Sequence, residues 1–238
     1  MGSVIIIYQY LLASIDKDYD RVKTIKESDR GCVLLVRHKQ SGTRFIFRHY
    51  QGNGEVYKKL LTISCPNLPK ILEVGICGGM VAVLEEYIQG DSLDYILEMS
   101  SLSNSQASNI TRQICNALYC LHSMDAVHRD VKPENVIMDG DRAVLIDFDA
   151  SRIYKDELSQ DTQVLGTTGY AAPEQYGIAQ SDIRADIYSL GVLLNIMLTG
   201  KHPSIELAGG KLGHIVQKCT MVNPRKRYKS VLYLMEAL

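Results

Sequence analysis

Hydrophobic and polar positions are mainly strand-like in the first part of this chain and mainly helical from Leu93. From Tyr19 onward they alternate: Val22, Thr24 and Ile25, then Val33-Leu34-Leu35-Val36, then Phe45-Ile46-Phe47, and later Met80-Val81-Ala82-Val83-Leu84. Alternation of this kind predicts strands. The link His38-Lys39-Gln40-Ser41-Gly42-Thr43 has the composition of a hairpin turn. One helix interrupts them, expected from about Gly54 to Ser64 with Val56, Leu60, Leu61 and Ile63 as its apolar stripe. From Leu93 the period becomes helical. Asp91 or Ser92 can cap a short helix ending near Met99, and Ala107, Ile110, Ile114, Ala117, Leu118 and Leu121 mark a long one from Ser103 to Ser123, starting at Asn104 or Ser105. Val136-Ile137-Met138 and Ala143-Val144-Leu145-Ile146 flank a turn at Asp139-Gly140-Asp141, which predicts a second hairpin. The pattern is α+β, strands first and helices after.

Composition narrows the picture. At 238 residues the chain can bury a substantial core. A formal net charge of −1 gives no reason to expect nucleic acid as a partner. The six cysteines are scattered with no Cys-x-x-Cys pair, which suits reduced thiols in a cytoplasmic protein better than zinc or a disulfide framework. The apolar run Val4 to Ala13 is about half of what a bilayer span needs, so no membrane span is expected. It reads as a helix or strand packed on the body or on a partner. Nothing in the sequence sets an oligomeric state.

The chemistry concentrates in His128-Arg129-Asp130-Val131-Lys132-Pro133-Glu134-Asn135 and in Asp147-Phe148-Asp149, joined by the second hairpin. The hairpin places Asp130, Asn135 and Asp147 at neighbouring ends of one platform. Phosphoryl transfer uses such a set: an acid for the hydroxyl proton, a lysine for the charge on the moving group, and an Asn and an Asp for magnesium. The octapeptide resembles the catalytic loop of the eukaryotic-type Ser/Thr protein kinases, and Asp147-Phe148-Asp149 resembles their Asp-Phe-Gly motif. The resemblance covers about Tyr19 to Leu238 and fits a bacterial member with a divergent amino-terminal lobe. It implies the bilobal kinase fold, with an extension over residues 1–18, a small antiparallel-sheet lobe over 19–88 and a larger helical lobe over 89–238. It also implies ATP with Mg²⁺ (or Mn²⁺) and a protein substrate offering Ser or Thr. Asp130 would orient the hydroxyl, Lys132 contact the γ-phosphate, and Asn135 and Asp147 hold the metal.

The first lobe departs from the family pattern. Where Gly-x-Gly-x-x-Gly-x-Val is expected, the chain has Lys26-Glu27-Ser28-Asp29-Arg30-Gly31-Cys32-Val33, keeping only Gly31 and Val33. Where Val-Ala-Ile-Lys is expected, it has Phe45-Ile46-Phe47-Arg48, so Ile46 adds bulk against the adenine and a forked Arg48 replaces the lysine. Glu55 lies one residue from the position of the family's lysine-pairing glutamate, about 100° around a helix. The resemblance implies that the hinge offers backbone groups of Glu86 and Ile88 and that Ile137 also belongs to the nucleotide site. Glu85 falls at the back of the adenine pocket, where a buried carboxylate needs a partner such as Arg48.

In the second lobe, Gly166 to Gln175 resembles the end of an activation segment, with Ser159 and Thr162 as phosphate acceptors and Thr167 placed to bond the catalytic loop. Asp186 matches the acid that holds the catalytic-loop backbone, and Arg227 matches the partner of Glu174. Three readings stay open: a Ser/Thr protein kinase, a pseudokinase serving as a binding module with a degenerate nucleotide pocket, and a small-molecule kinase on the same fold, against which the intact Gly166–Glu174 segment argues.

Overall fold

The computed structural model describes residues 2–154, 167–176 and 182–238, with side chains from residue 6 onward. The chain divides into two compact units, one of residues 1–64 and 69–88, the other of residues 65–68 and 89–238. Among the described residues, no helix is long and apolar enough to cross a membrane.

The first unit opens with helix α1 (Gly2–Asp18) and continues through β1 (Tyr19–Ser28), β2 (Gly31–His38), β3 (Arg44–Gln51), α2 (Glu55–Leu60), β4 (Ile71–Cys77) and β5 (Met80–Glu86). The strands form one antiparallel sheet ordered β1-β2-β3-β5-β4. Register sorts its side chains. Val33 pairs with Arg48 and Arg48 with Val83, while Leu35 pairs with Ile46 and Ile46 with Glu85, so these six share one face. Leu34, Val36, Phe47, Ala82 and Leu84 are buried on the other.

That second face is covered by α1. Leu11, fully buried, joins the five sheet residues in one cluster, with Tyr8, Leu12 and Ile15 packed around it. Tyr8 Oη lies 2.8 Å from His49 Nε2. Approach is so close that a Cβ on Gly75 would sit 2.5 Å from the Tyr8 Cα, which is why β4 carries a glycine there. Helix α1 is therefore part of the sheet's packing through Tyr8, Leu11, Leu12 and Ile15.

The helix after β3 is shorter than its apolar stripe suggests. It ends at Leu60, where Thr62 Oγ1 donates to the Lys59 carbonyl and the chain tightens into a turn before Pro66. Leu61 is 42 % exposed. The spacing of Leu61 and Ile63 misleads because Pro66 follows within five positions, and neither it nor the residue before it readily continues a helix.

In the second unit come β6 (Asp91–Ser92), α3 (Leu93–Met99), α4 (Asn104–His122), β7 (Ala126–Val127), β8 (Val136–Asp139), β9 (Arg142–Leu145), β10 (Arg152–Ile153), α5 (Ile183–Thr199), α6 (Gly210–Cys219) and α7 (Val231–Ala237). Helix α4 begins at Asn104 because Ser103 caps it: the Ser103 hydroxyl accepts from the Gln106 N–H, and Gln106 Oε1 accepts from the Ser103 N–H. Its apolar face, Ile114 to Leu121, is buried, as is α5 from Ile187 to Leu194. The loop Cys65–Leu68 belongs to this unit through Asn67, whose amide donates to Gln113 Oε1 and the Ala143 carbonyl and whose carbonyl accepts from Leu145 N–H.

Candidate active site

The segment after β7 is fixed from below by one acid. Asp186, in the first turn of α5 and fully buried, accepts from the His128 N–H at 2.9 Å, the Arg129 N–H at 2.8 Å and His122 Nε2 at 2.8 Å. Burial alone would raise its pKa, but the His122 hydrogen bond and charge, His128 and the Arg129 N–H hold the carboxyl below its ordinary range. Arg129 sits at φ 71°, a left-handed conformation uncommon for a side-chain-bearing residue. Gln175 Nε2 donates to the Arg129 carbonyl, and Ser151 Oγ to that of His128. His128 is buried and neutral: its Nδ1 accepts from the Asp130 N–H, its Nε2 faces the Ile146 carbonyl at 3.2 Å, and burial lowers its pKa. Phe148, fully buried, meets its ring edge-on.

On this support stands a compact polar cluster. Asp130 Oδ1 accepts from Thr167 Oγ1 at 2.7 Å, and Oδ2 accepts from Asn135 Nδ2 at 3.0 Å. Lys132 Nζ lies 3.1 Å from Asp130 Oδ2 and donates to Thr167 Oγ1 at 2.7 Å. The Asp130 and Lys132 side chains keep 16 % and 18 % exposure, enough for a ligand to reach them. Asn135 closes a short 3₁₀ turn begun by Pro133, and its carbonyl accepts from Ile146 N–H, which brings Asp147 alongside. Asp147 is the second left-handed residue here, at φ 68°. Asp149 N–H donates to Asp147 Oδ1 at 3.4 Å, and Asp149 itself is not among the positive-φ residues, so glycine is not required there.

Magnesium fits these donors. The Asn135 amide nitrogen is committed to Asp130, leaving its oxygen, and Asp147 supplies a carboxylate. Both are the hard oxygen ligands Mg²⁺ takes when phosphates and water complete its shell. No cluster of three or more His, Cys, Asp or Glu that could hold a metal by itself occurs among the described residues.

Glu174 and Arg227 form a two-bonded pair at 2.6 and 2.9 Å, with Arg227 also donating to the carbonyls of Arg184, Met221 and Val222. Ser159 and Thr162 lie outside the described residues. Ile137, on β8, is half-buried.

In the first unit, Arg48 Nε donates to Glu85 Oε1 at 2.7 Å, the two side chains being only 6 % and 3 % exposed. Register makes them diagonal neighbours on β3 and β5. Glu55 opens α2 as an exposed residue. Glu86 has its N–H bonded to the Lys70 carbonyl and its carboxylate to the Lys70 N–H, and Ile88 is buried. The glycine-poor loop is a closed hairpin: Ser28 pairs with Gly31 across Asp29-Arg30, and the Arg30 carbonyl accepts from Gln51 N–H at 2.7 Å. Gly31 has φ 147°, and a Cβ there would stand 2.1 Å from the His49 carbonyl oxygen. Its glycine is required by the neighbouring strand.

Sequence reasoning missed His122, Gln175 and Asn67. The first is a lone histidine in a helix's last turn and the others are amides; each acts on main chain or on a buried acid, and no spacing rule flags that.

The protein kinase domain family profile matches residues 19–231. Among curated relatives, the chain is 31 % identical over 198 residues to mitogen-activated protein kinase kinase 2 of Arabidopsis thaliana, covering 78 % of this chain and 54 % of that one. It is 31 % identical over 199 residues to a probable serine/threonine-protein kinase of Clostridium perfringens, covering 78 % and 29 %. Against the probable serine/threonine-protein kinase PknB of Lactococcus lactis it is 32 % identical over 202 residues, covering 77 % and 32 %. The chain thus spans about half or less of these relatives' lengths. With an antiparallel-sheet unit, a helical unit and the family match across nearly its whole length, the chain belongs to the protein kinase family.

Proposed function

We propose that this chain is a Ser/Thr protein kinase that transfers the γ-phosphoryl group of ATP to a protein hydroxyl with Mg²⁺ or Mn²⁺. The observation that carries this reading is the Asp130 carboxylate, oriented by Asn135 and Thr167 and neutralised in part by Lys132. A substrate hydroxyl that displaced Thr167 from Oδ1 would meet an acceptor for its proton already aligned. Lys132 would then offset charge on the phosphoryl oxygens, and Asn135 with Asp147 would hold the metal. When bound, the metal ion neutralises charge building on the phosphate oxygens. Gly31, Val33, Ile46, Arg48, Glu86, Ile88 and Ile137 are the positions we assign to the nucleotide. A γ-phosphate transfer assay tests the reading, with Asp130→Asn expected to lose about 10³-fold in rate. Equal transfer by the two proteins would sink it.

One observation favours the second reading, a pseudokinase acting as a binding module: the buried Arg48–Glu85 pair gives Arg48 a structural reason to exist without nucleotide. ATP affinity separates the two. For the kinase, Arg48→Ala and Arg48→Lys weaken ATP binding; for the binding module, neither changes it.

A further inference from the structure

Two of the six cysteines form a partly exposed dithiol in the second unit. Cys65 heads the loop that leads from α2 to β4, and Cys120 lies in the last turn of α4, both half-buried and neither in a disulfide. Asn116, one helical turn before Cys120, donates its amide to Cys65 Sγ at 3.8 Å and to Asn67 Oδ1 at 2.8 Å. That fixes the Cys65 sulfur against the face of α4 that carries residues 116 and 120. Cys120 stands one turn beyond Asn116 on that face, close enough for the Cys65 thiol to act on its own thiol. Cys115 and Cys219 are also close enough to influence each other, but both are fully buried, so no oxidant reaches them.

We propose that Cys65 and Cys120 are a peroxide-sensitive pair that closes reversibly into a disulfide and latches the Cys65–Leu68 loop to α4. Burial, with the neighbouring Cys65 thiol, pushes Cys120 up to about 12, so Cys120 keeps its proton at neutral pH and we assign the first step to Cys65. Cys65 sulfur attacks one oxygen of hydrogen peroxide, the O–O bond breaks, and water leaves with the thiol proton, giving a sulfenic acid at Cys65. Cys120 sulfur then attacks that sulfur. The S–O bond breaks, the S–S bond forms, and the departing hydroxide takes the Cys120 proton as a second water. The two sulfurs lose two electrons to the peroxide, and a dithiol reductant reverses the change. Such transient disulfides are the kind reducing compartments permit.

The test uses the full chain, treated with one to two equivalents of hydrogen peroxide, alkylated and digested for mass spectrometry. A peptide linked through Cys65 and Cys120 is expected, lost with dithiothreitol and absent from Cys65→Ser. The oxidised protein should melt about 5 °C higher, since the bond closes a long loop. The proposal is overturned if Cys65 accumulates sulfinic acid while Cys120 remains alkylatable, or if the link forms only in denaturant. An unchanged or lower melting temperature on oxidation would overturn the latch.

Discussion

The two units use buried charge in opposite ways. In the second, Asp186 and Arg227 reach main-chain groups: two backbone N–H donors for the acid, three carbonyls for the arginine. In the first, Arg48 and Glu85 join side chain to side chain across adjacent strands. A side chain that satisfies the backbone has no substitute, because the peptide groups stay whatever replaces it. A side-chain pair can change jointly. The first arrangement holds sequence motifs in place and the second lets them drift.

The sharpest way to break this contrast is Asp186→Ala. It strands two buried N–H groups and His122, and should cost about 3–5 kcal/mol in urea unfolding. A loss under about 1 kcal/mol would remove the idea that this acid is irreplaceable. Next comes the strand pair. Glu85→Ala should cost about 3 kcal/mol by leaving Arg48 facing a lost carboxylate, whereas the double change Arg48→Met with Glu85→Leu should recover most of it. If the double variant is as unstable as the sum of the singles, the pair is no freer than Asp186.

Acid probes the second unit further. His128 is held neutral, with its pKa below the ordinary 6.5, so the unfolded chain takes up the proton first and stability falls as pH drops below 6.5. Asp186, with a pKa lowered below 3.8, contributes fully above that value and is lost as pH falls through its lower folded value. Melting temperatures at pH 7.5, 6.5 and 5.5 should decline in the wild type and decline less in His128→Gln. Parallel curves would remove His128 from the account. The smallest effect is expected at Ser103→Ala, which opens the capping box of α4 for about 1 kcal/mol. A change indistinguishable from zero would mean that packing alone sets the helix start.

The same contrast explains what could be read from the sequence. The apolar runs located β2, β3 and β5, which are largely buried, and the 3.6-residue period located α4, which buries one face; β1 was located too, although it is exposed from Asp20 to Ser28. Asn135, Asp147, Asp186 and Arg227 bond main-chain groups while Asp130 and Glu174 are held by side chains, and all six were legible from their spacing. Gly31 was legible as a surviving glycine, yet the reason lies in the His49 carbonyl of the next strand, which no local pattern carries. The end of α2 at Leu60 was hidden by Leu61 and Ile63, apolar residues at helical spacing outside the helix. His122 and Gln175 are single polar residues whose partners lie 64 and 46 positions away, and only the fold joins them.

Helix α1 has a practical consequence. The family match begins at Tyr19, and a fragment trimmed to it would keep every strand and every residue assigned to the reaction. It would also strip the cover from Leu34, Val36, Phe47, Ala82 and Leu84, turning one side of a five-stranded sheet into an open apolar plate. Plates of that kind find one another in solution. Such a shortened protein should come out of expression as aggregate, and its inactivity would be blamed on the altered loop and Arg48 when the missing piece was a helix of 17 residues.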